Sequence, residues 1–325
     1  MSGLKLLFMG TPAFAVPALE LLYRSKHNLL AVITQPDRVS GRGCQAVNFS
    51  AVKNWALDND LEIYQPEKLS DENFLIWLAE KQPDLIVTVA FGRLLNRFLL
   101  QIPPLGCINL HASYLPAYRG AAPIHRAIME GSLYSGVSII DLTEELDGGD
   151  LYDQAQEPIY HDDTAGLLHD RLATSGANLL LKTVNALAVG SAVKKPQNAD
   201  LATYAHPLTP SDEIIDWNLN AEQIYNHIRG LNPWPGAYTS FKGRRIKIWT
   251  SKLLKADLQE AKAVPPGTVS KVGMDSIEVV TGKGPLTIID LQPAGKNPMD
   301  AAAFCCGYRL QPGDRLGDEQ VFDKG

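Results

Sequence analysis

The stretch "INLHASYLPAYRGAAPIHRAI", residues 108–128, ends an apolar run with an asparagine and a histidine two residues apart. A strand sends alternate side chains to opposite faces, so Asn109 and His111 share one face while Ile108 and Leu110 share the other. At the C-terminal end of a parallel strand, an amide N–H and an imidazole can stabilise a developing oxyanion and shuttle a proton. A hydrogen-bonded structural histidine explains the spacing of His111 equally well. A carboxylate partner occurs in "TEELDGGDLY", where Asp147 precedes two glycines, a composition suited to a tight loop. An Asp beside the imidazole would hold its orientation and favour its charged form. Glu144, Glu145 and Asp150 read as solvated loop charges. The remaining histidines, His27, His125, His161, His169, His206 and His227, read as surface or packing residues.

Other chemistries lack their residues. There is no GxSxG nucleophile motif, no P-loop and no metal-ligand spacing, so no metal is expected. The first strand–helix junction, "GTPAFA", has a single glycine where a dinucleotide fold shows GxGxxG. An Asn/His/Asp site without an activated protein nucleophile suits direct transfer of a small acyl group between two bound substrates.

The elements that would position this site follow from periodicity. Short apolar runs such as "LKLLFMG", "NLLAVITQP" and "DLIVTVAF" alternate with helical patterns, which predicts βαβ units and a mostly parallel, Rossmann-like sheet. "TAGLLHDRLATSGANLLLKTVNALAVG" predicts a long helix. We divide the chain into a catalytic α/β domain over 1–189, a proline-containing linker over 190–209, and a domain over 210–325. Five short strands punctuated by Gly and Pro predict a small OB-like barrel in the last of these.

The net charge is −6, yet residues 211–325 hold 14 Lys+Arg and 14 Asp+Glu, so all net acidity lies earlier. The basic cluster "FKGRRIKIW" contains Lys242, Arg244 and Arg245 and permits an RNA contact. The loop "QPDRVSGRGCQAVNFS" is long for an α/β unit; Arg38 and Arg42 could meet phosphates there, or the loop is simply surface. Cys44, Cys107, Cys305 and Cys306 have no zinc or CxxC spacing. With no apolar run of about 18 residues and no signal-peptide pattern, a reduced, cytoplasmic chain away from membranes is expected. It shows no self-association stripe, so a monomer is expected.

Together these segments resemble the methionyl-tRNA formyltransferase family over nearly the whole chain. The resemblance is carried by "FMGTPAFAVPALE", "GCINLHASYLPAYRGAAPIHRAI", "DLTEELDGGD", "IDWNLNAEQIYNHIRGLNPWPGAY" and "LQPAGKNPMDAAAFCCGYRLQPGDRL". It implies the formyltransferase fold, and transfer of a formyl group from 10-formyltetrahydrofolate to the amino group of methionine on initiator methionyl-tRNA. It implies that Asn109, His111 and Asp147 form the catalytic trio. Ser113, Tyr114, Leu115 and Pro116 would contact the folate cosubstrate. Arg42 in the insertion loop, with Lys242, Arg244 and Arg245, would contact tRNA. The family's lysines after "GRG" are missing here, and "SYLPAYRG" stands where SLLPRWRG is usual. A formyltransferase acting on a sugar-nucleotide amine or a purine precursor would share the trio but lack the arginine loop and the C-terminal barrel. A catalytically inert RNA-binding module would have no need of all three groups.

Overall fold

The computed structural model describes residues 3–39, 47–254 and 264–317. The chain forms two compact units. The first comprises Met1–Pro123, Tyr134–Pro158 and His169–His206; the second comprises Ile124–Leu133, Ile159–Leu168 and Pro207–Gly325.

The chain opens with β1 (Lys5–Gly10), α1 (Val16–Tyr23) and β2 (Asn28–Ile33). A two-strand ribbon, β3 (Arg38–Val39) with β4 (Val47–Asn48), leads to α2 (Ala51–Asp58) and β5 (Ile63–Tyr64). Next come α3 (Glu72–Lys81), β6 (Leu85–Val89), α4 (Arg97–Leu100), β7 (Cys107–His111) and β8 (Arg119–Gly120). They are followed by α5 (Pro123–Met129), β9 (Tyr134–Asp141), β10 (Leu151–Pro158), α6 (Ala165–Ala188) and β11 (Tyr204–Ala205).

In the first unit one sheet of seven strands runs in the order β10-β9-β7-β6-β1-β2-β5. The pairs from β5 to β7 are parallel, and β9 and β10 extend the sheet antiparallel. Leu6–Met9 and Leu85–Val89 are buried without interruption, as strands covered by helices on both faces must be. The helices begin at side-chain caps: Ser50 accepts from Lys53 N–H at α2, and Asp71 from Phe74 N–H at α3. Strand order reverses about β1, and in such sheets ligands meet the carboxyl ends of the strands. Asn109 and His111 lie in the last three residues of β7, at that end.

Residues 195–205, in the stretch read as a linker, are tied into this unit. Lys195 and Leu151 exchange both backbone hydrogen bonds, at 2.8 and 2.9 Å. β11 pairs with β8 in parallel, Tyr204 opposite Arg119 and Ala205 opposite Gly120. Such a segment satisfies its backbone on loops and two-residue strands, so it carries no periodicity for composition to reveal.

In the second unit α7 (Ala221–Gly230) precedes β12 (Tyr238–Phe241), β13 (Arg244–Leu253), β14 (Val269–Val272), β15 (Ile277–Val280) and β16 (Pro285–Pro293). The unit ends with β17 (Met299–Asp300) and α8 (Ala301–Tyr308). The antiparallel order is β12-β13-β16-β15-β14, with β17 added on β16. Among the described residues no strand pair joins β12 to β14, so the expected small barrel takes the form of a half-barrel. Its core is Ile246, Ile248, Val279, Leu286, Ile288 and Phe304, with α7 contributing Ile224 and Ile228. A capping box fixes the start of α7: Asn220 accepts from Gln223 N–H while the Gln223 side chain accepts from Asn220 N–H.

One ion pair in this unit has a pH consequence. Arg126 grips Asp212 with two N–H groups, at 2.7 and 3.1 Å, and the Thr209 N–H and hydroxyl each donate to the same carboxylate at 2.8 Å. The Arg126 hydrogen bonds, helped by those of Thr209, hold Asp212 far below the usual carboxylate range. A depressed folded pKa contributes stability that is complete above the unfolded value of about 3.9 and is lost progressively as pH falls from there through the folded value. At neutral pH, Asp212→Asn is therefore the less stable protein, and its deficit closes as acid protonates the wild-type group. Denaturant unfolding followed through the buried Trp217 reads this directly; a deficit independent of pH down to about 3 would refute it.

Candidate active site

β7 carries the two strand-borne groups in a fixed register. Asn109 lies opposite Thr88 on β6 and Ile140 on β9, and His111 lies opposite Ser138. The buried Thr88 hydroxyl lies 2.7 Å from Asn109 Oδ1 and donates to it. With its oxygen occupied, the amide presents Nδ2, its donor, to any ligand at the strand end. No motif marks Thr88; its one sequence signal is a hydroxyl inside the apolar run "DLIVTVAF".

His111 is 6% exposed and faces an acceptor on each side of its ring. Asp147 Oδ2 lies 3.5 Å from Nδ1, and the Tyr118 carbonyl lies 3.0 Å from Nε2. A carbonyl only accepts, so the Nε2 hydrogen is the one directed at Tyr118. At 3.5 Å the carboxylate acts on the ring through charge more than through a short hydrogen bond.

Asp147 reaches this place on a loop. It adopts φ +48°, a left-handed conformation that Asp tolerates better than most residues, and Gly120 N–H donates to its Oδ2 at 2.8 Å. Gly149 is required by sterics: a Cβ there would lie 1.8 Å from the Asp141 carbonyl oxygen. Glu145, read as a solvated charge, is mostly exposed but accepts from the buried Arg119 Nη1 at 2.6 Å. A pairing partner distant in sequence left no trace in the loop's own composition.

The stretch Ser113 to Pro116 is anchored from β9 and β10. Ser138 donates to the Ser113 carbonyl at 2.7 Å and accepts from Leu115 N–H at 3.0 Å; Gln154 Nε2 donates to the Leu115 carbonyl at 2.8 Å. Ser113 and Leu115 are buried, whereas Tyr114 is exposed and Pro116 partly so. Only the last two offer side-chain surface. Cys107, on β7 as well, is no nucleophile: burial, with the Asp141 charge adding to it, pushes its thiol up to about 12.

The remaining candidates belong to the second unit or lie outside the described residues. Lys242 and Arg244 are exposed. Arg245 is occupied, paired with Glu213 and placed 3.6 Å from the Tyr238 ring centroid. Arg42 lies outside the described residues. Among the described residues no cluster of His, Cys, Asp or Glu could hold a metal ion, and no helix is long and apolar enough to cross a membrane.

Two family models match the chain, that of the formyl transferases over residues 4–184 and that of the formyl transferase C-terminal domain over residues 207–309. The methionyl-tRNA formyltransferase of Moorella thermoacetica is 47% identical over 97% of this chain and 99% of its own length. That of Symbiobacterium thermophilum is 45% identical over 98% and 97%. Among solved structures, the methionyl-tRNA formyltransferase of Clostridium thermocellum superposes with a TM-score of 0.55 at 16% identity, over 78% of this chain and 95% of that one. HypX of Aquifex aeolicus, solved with tetrahydrofolic acid, gives 0.65 at 14% identity, over 97% of this chain and 49% of that one. The last two show a shared fold; the near-full-length identities decide membership, and the chain belongs to the formyl transferase family, among the methionyl-tRNA formyltransferases.

Proposed function

We propose that this protein transfers the formyl group of 10-formyltetrahydrofolate to the amino group of methionine carried by initiator tRNA, and that Asn109, His111 and Asp147 perform the step. The observation that carries the assignment of roles is the placement of an oriented amide donor and a carboxylate-paired imidazole at the carboxyl end of β7.

The amine nitrogen bonds to the formyl carbon, and the carbonyl oxygen gains negative charge in a tetrahedral intermediate. Asn109 Nδ2, aimed by Thr88, donates to that oxygen. His111, held in place by Asp147, offers its Nε2 hydrogen beside it. As folded, the Nε2 hydrogen is directed at the Tyr118 carbonyl, so it reaches the formyl oxygen by exchanging one acceptor for the other. Such hydrogen bonds commonly tighten only once substrate is in place. Collapse breaks the bond from the formyl carbon to the folate nitrogen, which takes the proton the amine has lost. No protein nucleophile is needed, consistent with the inert Cys107 thiol.

The folate would lie along Ser113–Pro116, with the Tyr114 ring and Pro116 as its side-chain contacts, on a backbone held at Ser113 and Leu115 by Ser138 and Gln154. Lys242 and Arg244 are the exposed cations suited to tRNA phosphates; the salt bridge of Arg245 to Glu213 reduces its share. The listless charge balance of residues 211–325 is no obstacle, because phosphate contacts depend on local cations.

The direct test is formyl transfer to methionine-charged initiator tRNA beside methionine-charged elongator tRNA. Activity on the initiator alone is expected, and activity on neither would overturn the proposal. Within the site, Asn109→Ala should slow kcat by about 10²–10³, the usual result of losing one oxyanion donor. Thr88→Val, which leaves the amide unoriented, should slow it less and leave KM unchanged; wild-type turnover in both variants would refute the roles. On the second unit, Lys242→Glu with Arg244→Glu should raise KM for tRNA but not for the folate. Each lost phosphate contact should flatten the salt dependence by about one unit of slope, which a titration across ionic strength measures.

A further inference from the structure

Gln197 lies between the two family models, which end at residue 184 and resume at 207. It is half-buried, although residues on both sides of it, from Val193 to Asp200, are exposed. Its side-chain amide makes four hydrogen bonds. Oε1 accepts from Arg119 Nε at 3.2 Å and Nη2 at 2.9 Å, while Nε2 donates to the carbonyls of Asp147 and Gly149, each at 2.7 Å. That exhausts the capacity of the group, two acceptor positions and two donors. The orientation is forced as well, since a guanidinium only donates and a carbonyl only accepts.

The partners converge on one short loop. Arg119, 3% exposed, sends its remaining Nη1 to Glu145, so Arg119 and Gln197 together hold residues 145, 147 and 149. The neighbouring Gly120 N–H holds the Asp147 carboxylate itself. Asp147 is thus fixed at its main chain by Gln197 and at its side chain by Gly120. We propose that Gln197 is a positioning residue for formyl transfer, acting through the Asp147 loop to keep the carboxylate on His111. This rests on the role given to Asp147 above. A group displaced by about 1 Å through a change remote from the chemistry can cost a hundredfold in rate.

Two substitutions in the full-length chain separate the possibilities. Gln197→Met keeps the size of the side chain and removes all four bonds. Gln197→Glu keeps the acceptor for Arg119 but turns an oxygen onto two carbonyl oxygens. The readouts are kcat, KM for each substrate, and amide hydrogen exchange over residues 142–151. Both variants are expected to lose roughly ten- to a hundredfold in kcat with little change in either KM, and to exchange faster in the loop. Gln197→Glu should do no better than Gln197→Met, because the bonds to the loop are the ones that matter. Wild-type turnover in both variants, or lost turnover with unchanged loop exchange, would overturn the inference. If the wild-type chain transfers no formyl group, the reaction assignment fails instead, and the exchange measurement still reads whether Gln197 holds the loop.

Discussion

The Asp147 carboxylate has been withdrawn from most of the water around it, and a buried charge persists only where donors or an opposite charge replace the lost hydration. Its replacements are the Gly120 N–H at 2.8 Å and the His111 ring at 3.5 Å. Much of the surrounding architecture follows from supplying them. Gly120 sits at φ +119°, and a Cβ on it would come within 2.7 Å of the Ala205 carbonyl, so the β8–β11 pairing and the donor to Asp147 depend on the same missing side chain. The loop that brings Asp147 in closes through Gly149 against the Asp141 carbonyl.

Two kinds of support meet in this site. Asn109 and His111 ride on β7, whose register is set by β6 on one side and β9 on the other, so their spacing is as rigid as the sheet. Asp147 rides on a loop and has no such register. Its position is specified by individual hydrogen bonds from segments distant in sequence, including residues 195–205. A strand can be made rigid by many weak, repeated interactions. A loop needs a few well-placed polar ones, each satisfied, since a buried amide with an unmet partner would cost more than it contributes.

In the second unit the same alternation that builds the core leaves a half-buried face of cations and an aromatic ring opposite it. Ile246 and Ile248 turn inward on β13, and Arg245, Lys247 and Trp249 turn outward between and beyond them. Arg245 lies over Tyr238, and the Lys247 ammonium is 5.3 Å from the Trp249 ring centroid. Cations held over aromatic rings keep their charge while losing freedom. Pairing with Glu213 then separates Arg245 from Lys242 and Arg244, a distinction that a count of basic residues does not make.

Much of this protein is legible in local pattern. The continuous apolar runs of β1 and β6, the alternation in β13, and the face shared by Asn109 and His111 all follow from side-chain period, and the structure retains each. Asp147 was legible as a loop carboxylate beside two glycines and as a candidate partner for His111, but the 3.5 Å approach of its Oδ2 to Nδ1 was not, because the two are 36 residues apart and joined through a loop. Thr88 left a faint mark, one hydroxyl in an apolar run. Gln197 and the pairing of Glu145 with Arg119 left none. Periodicity records how a segment meets a core or water over many residues, and it determined where the strands, the helices and the strand-borne pair would fall. A single side chain whose hydrogen bonds go to loops distant in sequence has no period, and only the tertiary structure could decide where it points.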